Sequence, residues 1–216
     1  MVYICAYRDW GIDIFNKLKG IYDIVLIETP DQLTQLSNMF HKNDTIFFLG
    51  WSWIVEKDII DNYNCICLHP SPLPKYRGGS PIQNQILNKE QVSAVSFFKM
   101  NDKLDQGEIL YQAPFSLKGE LSDIFSRIIE LGTFGIHHIM ASNPKGIKQD
   151  ESEATYCKRR KPEESEITID EIMNKSAHEL YDKVRMLNDP YPNAFIRCKN
   201  GDKLFITKTH YNDSTR

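Results

Sequence analysis

Short apolar, β-rich runs recur through the first half of this chain, each followed by a stretch of helical periodicity. That alternation constrains the fold more than any other feature. Val2–Ala6 reads as a strand, with Ile12, Ile14, Phe15 and Leu18 marking a helix behind it. Asp23–Glu28 and Pro30–Phe40 repeat the pattern, the proline standing at a helix start where its missing N–H costs nothing. Thr45–Leu49 and Val55–Tyr63 repeat it again, and Asn64–Leu68 leads through the loop Pro70–Gly79 into a helix over Ser80–Leu87. Strands spaced by helices do not pair as hairpins, so an α/β fold is expected, a mostly parallel sheet with helices on both faces. Clefts of such sheets open beyond the carboxyl ends of the strands.

Val95–Phe98 and Ile109–Phe115 add two strands, and a long helix follows with Leu121, Ile124, Phe125, Ile128, Leu131, Gly135 and Ile139 on one face. Such an apolar stripe reads as core packing. After Ser142 the composition turns polar. Gln149–Glu171 is charge-dense, and its basic run Lys158-Arg159-Arg160-Lys161, flanked by acids, reads as the solvated face of a surface crossing. Ser176-Ala177-His178-Glu179 has the form of a capping box and starts a helix through Leu180, Val184 and Leu187, which Pro190 and Pro192 stop. Phe195–Cys198 and Lys203–Thr207 close the chain as a β-hairpin. Its edge needs covering, which makes it a surface on which two copies can pair as a homodimer. The expected division is a larger unit over residues 1–148 and a linker with a small helix and hairpin over 149–216.

Charge and composition narrow the function classes. Lys plus Arg number 26 against 29 Asp plus Glu, a net charge of −3, which suits neither a nucleic-acid backbone nor an anionic membrane. One local basic pocket for a phosphorylated ligand stays compatible. The longest apolar run, residues 45–55, falls short of the ~20 residues that span a bilayer. The N-terminus lacks a basic segment ahead of an apolar core, so no secretory signal is expected. Five cysteines, an odd number thinly spread, suit a reducing cytoplasm. Cys65 and Cys67 have no second cysteine cluster near them, so no metal site is expected.

The densest chemical signal is the run from Cys65 to Pro81, CICLHPSPLPKYRGGSP. His69 leaves a buried strand and enters a loop stiffened by three prolines, which presents side chains rigidly. Arg77-Gly78-Gly79 then meets a helix N-terminus, where backbone N–H groups and a guanidinium suit an anion. The bland alternative is a structural histidine beside a turn. A second signal is Met100–Ile109, in which Asp105 is either a turn aspartate or a carboxylate returned to His69. The separation of 36 residues suffices for a helix and a strand back to the same sheet edge. An imidazole paired with a carboxylate can take a proton from an attacking amine.

These residues carry a resemblance. Cys67-Leu68-His69-Pro70-Ser71-Pro72-Leu73-Pro74, Tyr76-Arg77-Gly78-Gly79, Pro81-Ile82 and Leu104-Asp105-Gln106-Gly107 follow, in order, the pattern of the folate-dependent formyltransferase superfamily. That pattern is Asn-x-His-x-Ser-x-x-Pro, then Arg-Gly, and later Leu-Asp-x-Gly. Similarity continues through Tyr156–Pro162 and Arg185–Phe195, so it covers roughly residues 45–210. The chain resembles most the group of methionyl-tRNA formyltransferases and N-formyltransferases of nucleotide-linked amino sugars. The resemblance implies a Rossmann-like catalytic domain, 10-formyltetrahydrofolate as co-substrate and a primary amine as acceptor. It implies that His69 stabilises the tetrahedral oxyanion and helps move the proton, with Asp105 orienting it and assisting. Gly50, Trp51, Ser52, Trp53 and Ile54, with Leu104, match the walls around the pterin; core packing is the competing role for the tryptophans. Lys75 and Arg77 match positions near the acceptor's phosphates, Arg77 being the better suited to bidentate contact. Ser71, Gly78 and Gly79 complete the acceptor side.

Three departures matter. Cys67 stands where the family has asparagine, on the strand face it shares with His69 by the period of two. A thiol is a weak donor, and losing one oxyanion donor typically costs ~10²–10³ in turnover. Pro72 replaces a leucine and stiffens the loop. The stretch ahead of the motif is shorter than in methionyl-tRNA formyltransferases, and no large basic domain follows Arg216. The expected acceptor is therefore a nucleotide-linked amino sugar, with no nucleic acid or membrane as partner. Within the family, glycinamide ribonucleotide and methionyl-tRNA are the alternative acceptors, and two other classes stay open: a thiol-dependent hydrolase built on Cys67, His69 and Asp105, and a non-catalytic folate- or nucleotide-binding protein.

Overall fold

Side-chain alternation along three neighbouring strands decides the layering. The computed structural model describes residues 1–212. In β1 (Val2–Ala6), β3 (Thr45–Leu49) and β4 (Asn64–His69), residues Val2, Ile4, Ala6, Phe47, Leu49, Ile66 and Leu68 face one side. There they meet α1 (Asp9–Leu18) and α5 (Leu121–Ser142) through Ile14, Leu18, Ile124 and Ile128. Tyr3, Cys5, Ile46, Phe48 and Cys65 face the other side, toward Leu33 of α2 (Pro30–Ser37) and Ile59 of α3 (Lys57–Asn62). Both faces are covered, so these strands read in sequence as near-continuous apolar runs. α1 and α5 approach closely at Gly132, where a Cβ would lie 2.7 Å from Ile14 Cδ1.

The six-stranded sheet has the order β2-β1-β3-β4-β6-β7, with β2 (Ile24–Ile27), β1, β3 and β4 parallel. After α4 (Pro81–Leu87), strand β6 (Val92–Lys99) pairs antiparallel with β4, and β7 (Ile109–Ser116) pairs antiparallel with β6 across a loop that needs no helical crossover. The expected strand at Val95–Phe98 lengthens because β6 pairs on both sides. β4 likewise extends one residue to take in His69, which pairs with Ser96.

The segment after α5 departs most from expectation. Instead of a plain surface crossing, it supplies β8 (Tyr156–Cys157), which pairs in parallel with β5 (Arg77–Gly78), and α6 (Ile169–Asn174). Thr168 and Glu171 cap α6 reciprocally, so the capping pattern Thr-Ile-Asp-Glu was the signal for it. Ser176 and Glu179 cap α7 (Ala177–Arg185) in the expected way. Strands β9 (Ala194–Arg197) and β10 (Lys203–Ile206) form the closing antiparallel hairpin. Val184, Met186, Leu187 and Ala194 bury into the same cluster as Ile4 and Ile14. The last four residues of the expected unit 149–216 lie outside the described residues. No described helix is long and apolar enough to cross a membrane. Among the described residues, no group of three His, Cys, Asp or Glu is placed to hold a metal ion.

Candidate active site

His69 ends β4 at the carboxyl edge of the parallel strands, and a cavity of about 1000 Å³ opens there. The imidazole is buried; its Nε2 lies 2.8 Å from the Tyr76 carbonyl oxygen. A carbonyl only accepts, so Nε2 carries a hydrogen and Nδ1 is the atom left for proton chemistry. Nδ1 lies 3.7 Å from Asp105 Oδ2, longer than a direct hydrogen bond. Both residues line the cavity. The chain reversal between β6 and β7 thus returns a carboxylate to the end of β4, and Asp105 is more than a turn residue.

Asp105 does sit at a turn, with φ of +52°, a left-handed conformation that Asp tolerates better than most residues. Its Oδ2 accepts the Gly78 N–H at 2.7 Å, and its carbonyl oxygen accepts Gln149 Nε2 at 2.8 Å. Gly78 is required here: its φ is +97°, and a Cβ would lie 2.5 Å from the Cys157 carbonyl oxygen.

Cys67 lines the same cavity. Burial pushes its thiol well above the usual range, and the Asp105 charge adds to this. A raised thiol disfavours the thiolate nucleophile that the hydrolase reading needs.

Gly50, Trp51, Ser52, Trp53 and Ile54, in the loop that leaves β3, wall the cavity together with Leu104. Trp53 is 43% exposed and Ile54 98%, which is not the packing of core residues. Trp51 stacks edge-on to Trp53 at 4.8 Å between ring centroids. Its Nε1 is buried without a hydrogen-bond partner among the described residues. The Ser52 hydroxyl accepts from Tyr7 at 2.6 Å.

The expected acceptor side is only partly there. Gly78 and Gly79 line the cavity. Ser71, Lys75 and Arg77 do not. Ser71 is buried and donates to the Lys75 carbonyl at 2.8 Å, so it holds the loop instead of a substrate. Lys75 borders a separate hollow of about 350 Å³, with Nζ 3.5 Å from Glu153. Arg77 is fully buried, and Glu151, Gln149 and Tyr156 take all its N–H groups at 2.8–3.1 Å. It has no donor left for a phosphate. Three other arginines line the cavity instead: Arg8, Arg159 and Arg160. Arg8 follows β1 at the carboxyl edge and was open to the same rule that located His69. Arg159 belongs to the basic run read as solvated. It crosses over Gly79, where a Cβ would lie 2.5 Å from Arg159 Cα, and no local pattern announces that contact.

Along most of its length the chain is similar to known formyltransferases. Residues 28–124 match the family described as Formyl transferase, and residues 162–214 match that described as Methionyl-tRNA formyltransferase, C-terminal domain. The methionyl-tRNA formyltransferase of Borrelia turicatae is 32% identical over 221 residues, covering 95% of this chain and 68% of that protein. The chain spans about half the length of most other curated relatives it matches. A structure described as methionyl-tRNA formyltransferase from Clostridium thermocellum superposes with a TM-score of 0.83 at 30% identity, covering 95% of this chain and 96% of that one. A sugar N-formyltransferase from a Shewanella species shares the fold, with a TM-score of 0.74 at 16% identity over 99% and 98% of the two chains.

Proposed function

This chain belongs to the folate-dependent formyltransferase family, and from that premise we propose that it transfers a formyl group from 10-formyltetrahydrofolate to a primary amine. The observation that carries the reading is His69 Nδ1 and Asp105 Oδ2 facing each other across 3.7 Å in the large cavity. The amine nitrogen forms a bond to the formyl carbon, and the carbonyl electron pair moves to oxygen. The His69–Asp105 pair takes the proton that the nitrogen sheds. His69, protonated at Nδ1 and with Asp105 balancing its charge, then donates to the oxyanion. That matters because Cys67 offers only a thiol where the family has an amide. Collapse of the adduct breaks the bond to N10 of the folate, which leaves with the proton. Trp51, Trp53 and Leu104 wall the pterin side.

Arg8, Arg159 and Arg160 suit an acceptor that carries phosphate. The relatives' name supports the methionyl end of a charged tRNA, against the expectation that nucleic acid is no partner, and the match over residues 162–214 supports it too. One observation favours the second reading, a nucleotide-linked amino sugar. Residues 162–212 carry more carboxylates than Lys and Arg, which a tRNA backbone disfavours. All five cysteines are free, in keeping with work in a reducing cytoplasm. Formyl transfer is measured from 10-formyltetrahydrofolate to methionyl-tRNA and, separately, to dTDP- and UDP-linked amino sugars. Turnover on one arm assigns the acceptor; binding of the folate without turnover on any amine leaves a non-catalytic relative. Cys67→Asn restores the amide and is expected to hold or raise kcat; loss of turnover would speak for a thiol mechanism.

A further inference from the structure

Arg77, Gln149, Glu151 and Tyr156 form a cluster behind the cavity that the reaction does not use. Gln149 Nε2 donates to two carbonyls of the catalytic loop, Asp105 O and Gly107 O, each at 2.8 Å. Its Oε1 accepts Arg77 Nε at 3.1 Å and Nη2 at 2.8 Å. Arg77 in turn is gripped by both Glu151 oxygens, at 2.9 and 2.8 Å. Its Nη1 also meets the Tyr156 hydroxyl at 2.9 Å, and that hydroxyl accepts Gln106 Nε2 at 2.7 Å. The guanidinium has no solvent exposure, so its planar fork is set before Gln149 meets it. Burial opposes the charge of Arg77, but the Glu151 hydrogen bond is the larger influence and holds it charged.

The same two-residue strand acts on Asp105 twice. Arg77 reaches its backbone through Gln149, and Gly78 donates its N–H to the carboxylate. Asp105 needs such restraint, since its left-handed backbone is unfavourable for a residue with a Cβ. We propose that Gln149, locked by Arg77 and Glu151, is a positioning residue that sets Asp105 against His69, so that the polar crossing after α5 works as a buckle on the catalytic loop. This rests on the transferase reading of that pair.

Gln149→Glu tests it. The substitution keeps an oxygen for Arg77 but sets another against the Asp105 and Gly107 carbonyls. A misplacement of about 1 Å costs on the order of 10²-fold in rate. The expected result is a kcat loss approaching that size, with KM for the folate unchanged and the unfolding temperature held. Gln149→Met, neutral and of similar length, is expected to lose kcat in the same way, and it serves if the glutamate variant does not fold. The deciding measurement is each change made on top of Asp105→Asn, followed by single-turnover transfer. A residue that acts through Asp105 has nothing further to lose there. Equal fold-losses in the native and Asp105→Asn backgrounds, or an effect on KM alone, would overturn the inference. Failure of the native chain to formylate any amine would instead strike the transferase reading, and the two failures are distinguishable.

Discussion

The two loops that bring the proposed catalytic pair together are held in different ways. The loop after β4 carries its own restraints: Ser71 donates to the Lys75 carbonyl, His69 bonds the Tyr76 carbonyl, and Pro70, Pro72 and Pro74 limit the backbone. The loop between β6 and β7 holds Asp105 in a left-handed turn through Gly78 and Gln149, which lie 27 and 44 residues away. Distant groups brace the imidazole's loop as well, Ser96 and Gln112 on the Ser71 and Leu73 carbonyls and Thr155 on the Tyr76 N–H, but only this loop adds local chain stiffness to them. A change remote from the site can therefore disarm the carboxylate without unfolding the protein, whereas disturbing the histidine costs stability first.

Three measurements break or sharpen that contrast. The largest effect is expected from Asp105→Asn, which keeps the shape and an acceptor for Gly78 but removes the charge. General acid–base groups contribute about 10²–10⁴-fold, and kcat is expected to fall within that range with the denaturant midpoint unchanged. A loss under tenfold makes Asp105 a loop-holder only, and the contrast loses its catalytic half.

Next in size is Ser71→Ala. It strips the Lys75 carbonyl of its donor inside a buried loop, a change worth about 1–3 kcal/mol, read as a lower denaturant midpoint. The accompanying kcat loss is expected to be much smaller than for Asp105→Asn. A deep kcat loss at full stability would show that the histidine loop, too, depends on restraint of another kind.

The smallest effect lies away from both loops, at Glu171. Burial raises this carboxyl, but hydrogen bonds from Lys175, Lys183 and the Thr168 backbone outweigh it and hold it at about 2, against 4.5 for the free group. A group depressed in the folded state stabilises fully above the unfolded value and loses that contribution as pH falls through the folded one. Unfolding temperature measured from pH 5 to pH 2 is expected to fall less steeply in Glu171→Gln, with kcat untouched at neutral pH. A kcat change in this variant would extend the borrowed restraint to α6.

Legibility in the sequence followed the range of the contacts. β1, β3 and the start of α2 were readable because buried parallel strands and a proline-led helix leave local patterns. His69 and Asp105 were readable as motif residues. Arg77 does not face the acceptor side as expected, and Lys75 lies outside the large cavity, since a motif places a side chain along the chain but does not say which way it turns. Arg77 turns inward to Glu151 and Gln149, partners 74 and 72 residues on. The run from Lys158 to Lys161 is charged, as a solvated face is, yet its Arg159 and Arg160 border the cavity, Gly79 leaving room for Arg159. The missed α6 is a different matter, for its capping pattern was there to be seen.

The amino-acid order by itself determined the layered α/β architecture, because strand and helix periods with their caps are properties of neighbouring residues. It also determined which imidazole and which carboxylate were available. Only the tertiary structure decided that Arg77 and Gln149 bond each other away from the cavity, that Arg8, Arg159 and Arg160 line it, and that burial pushes the Cys67 thiol up. Burial, charge pairing and the direction of a side chain are set by residues distant in the chain, and no local pattern encodes them.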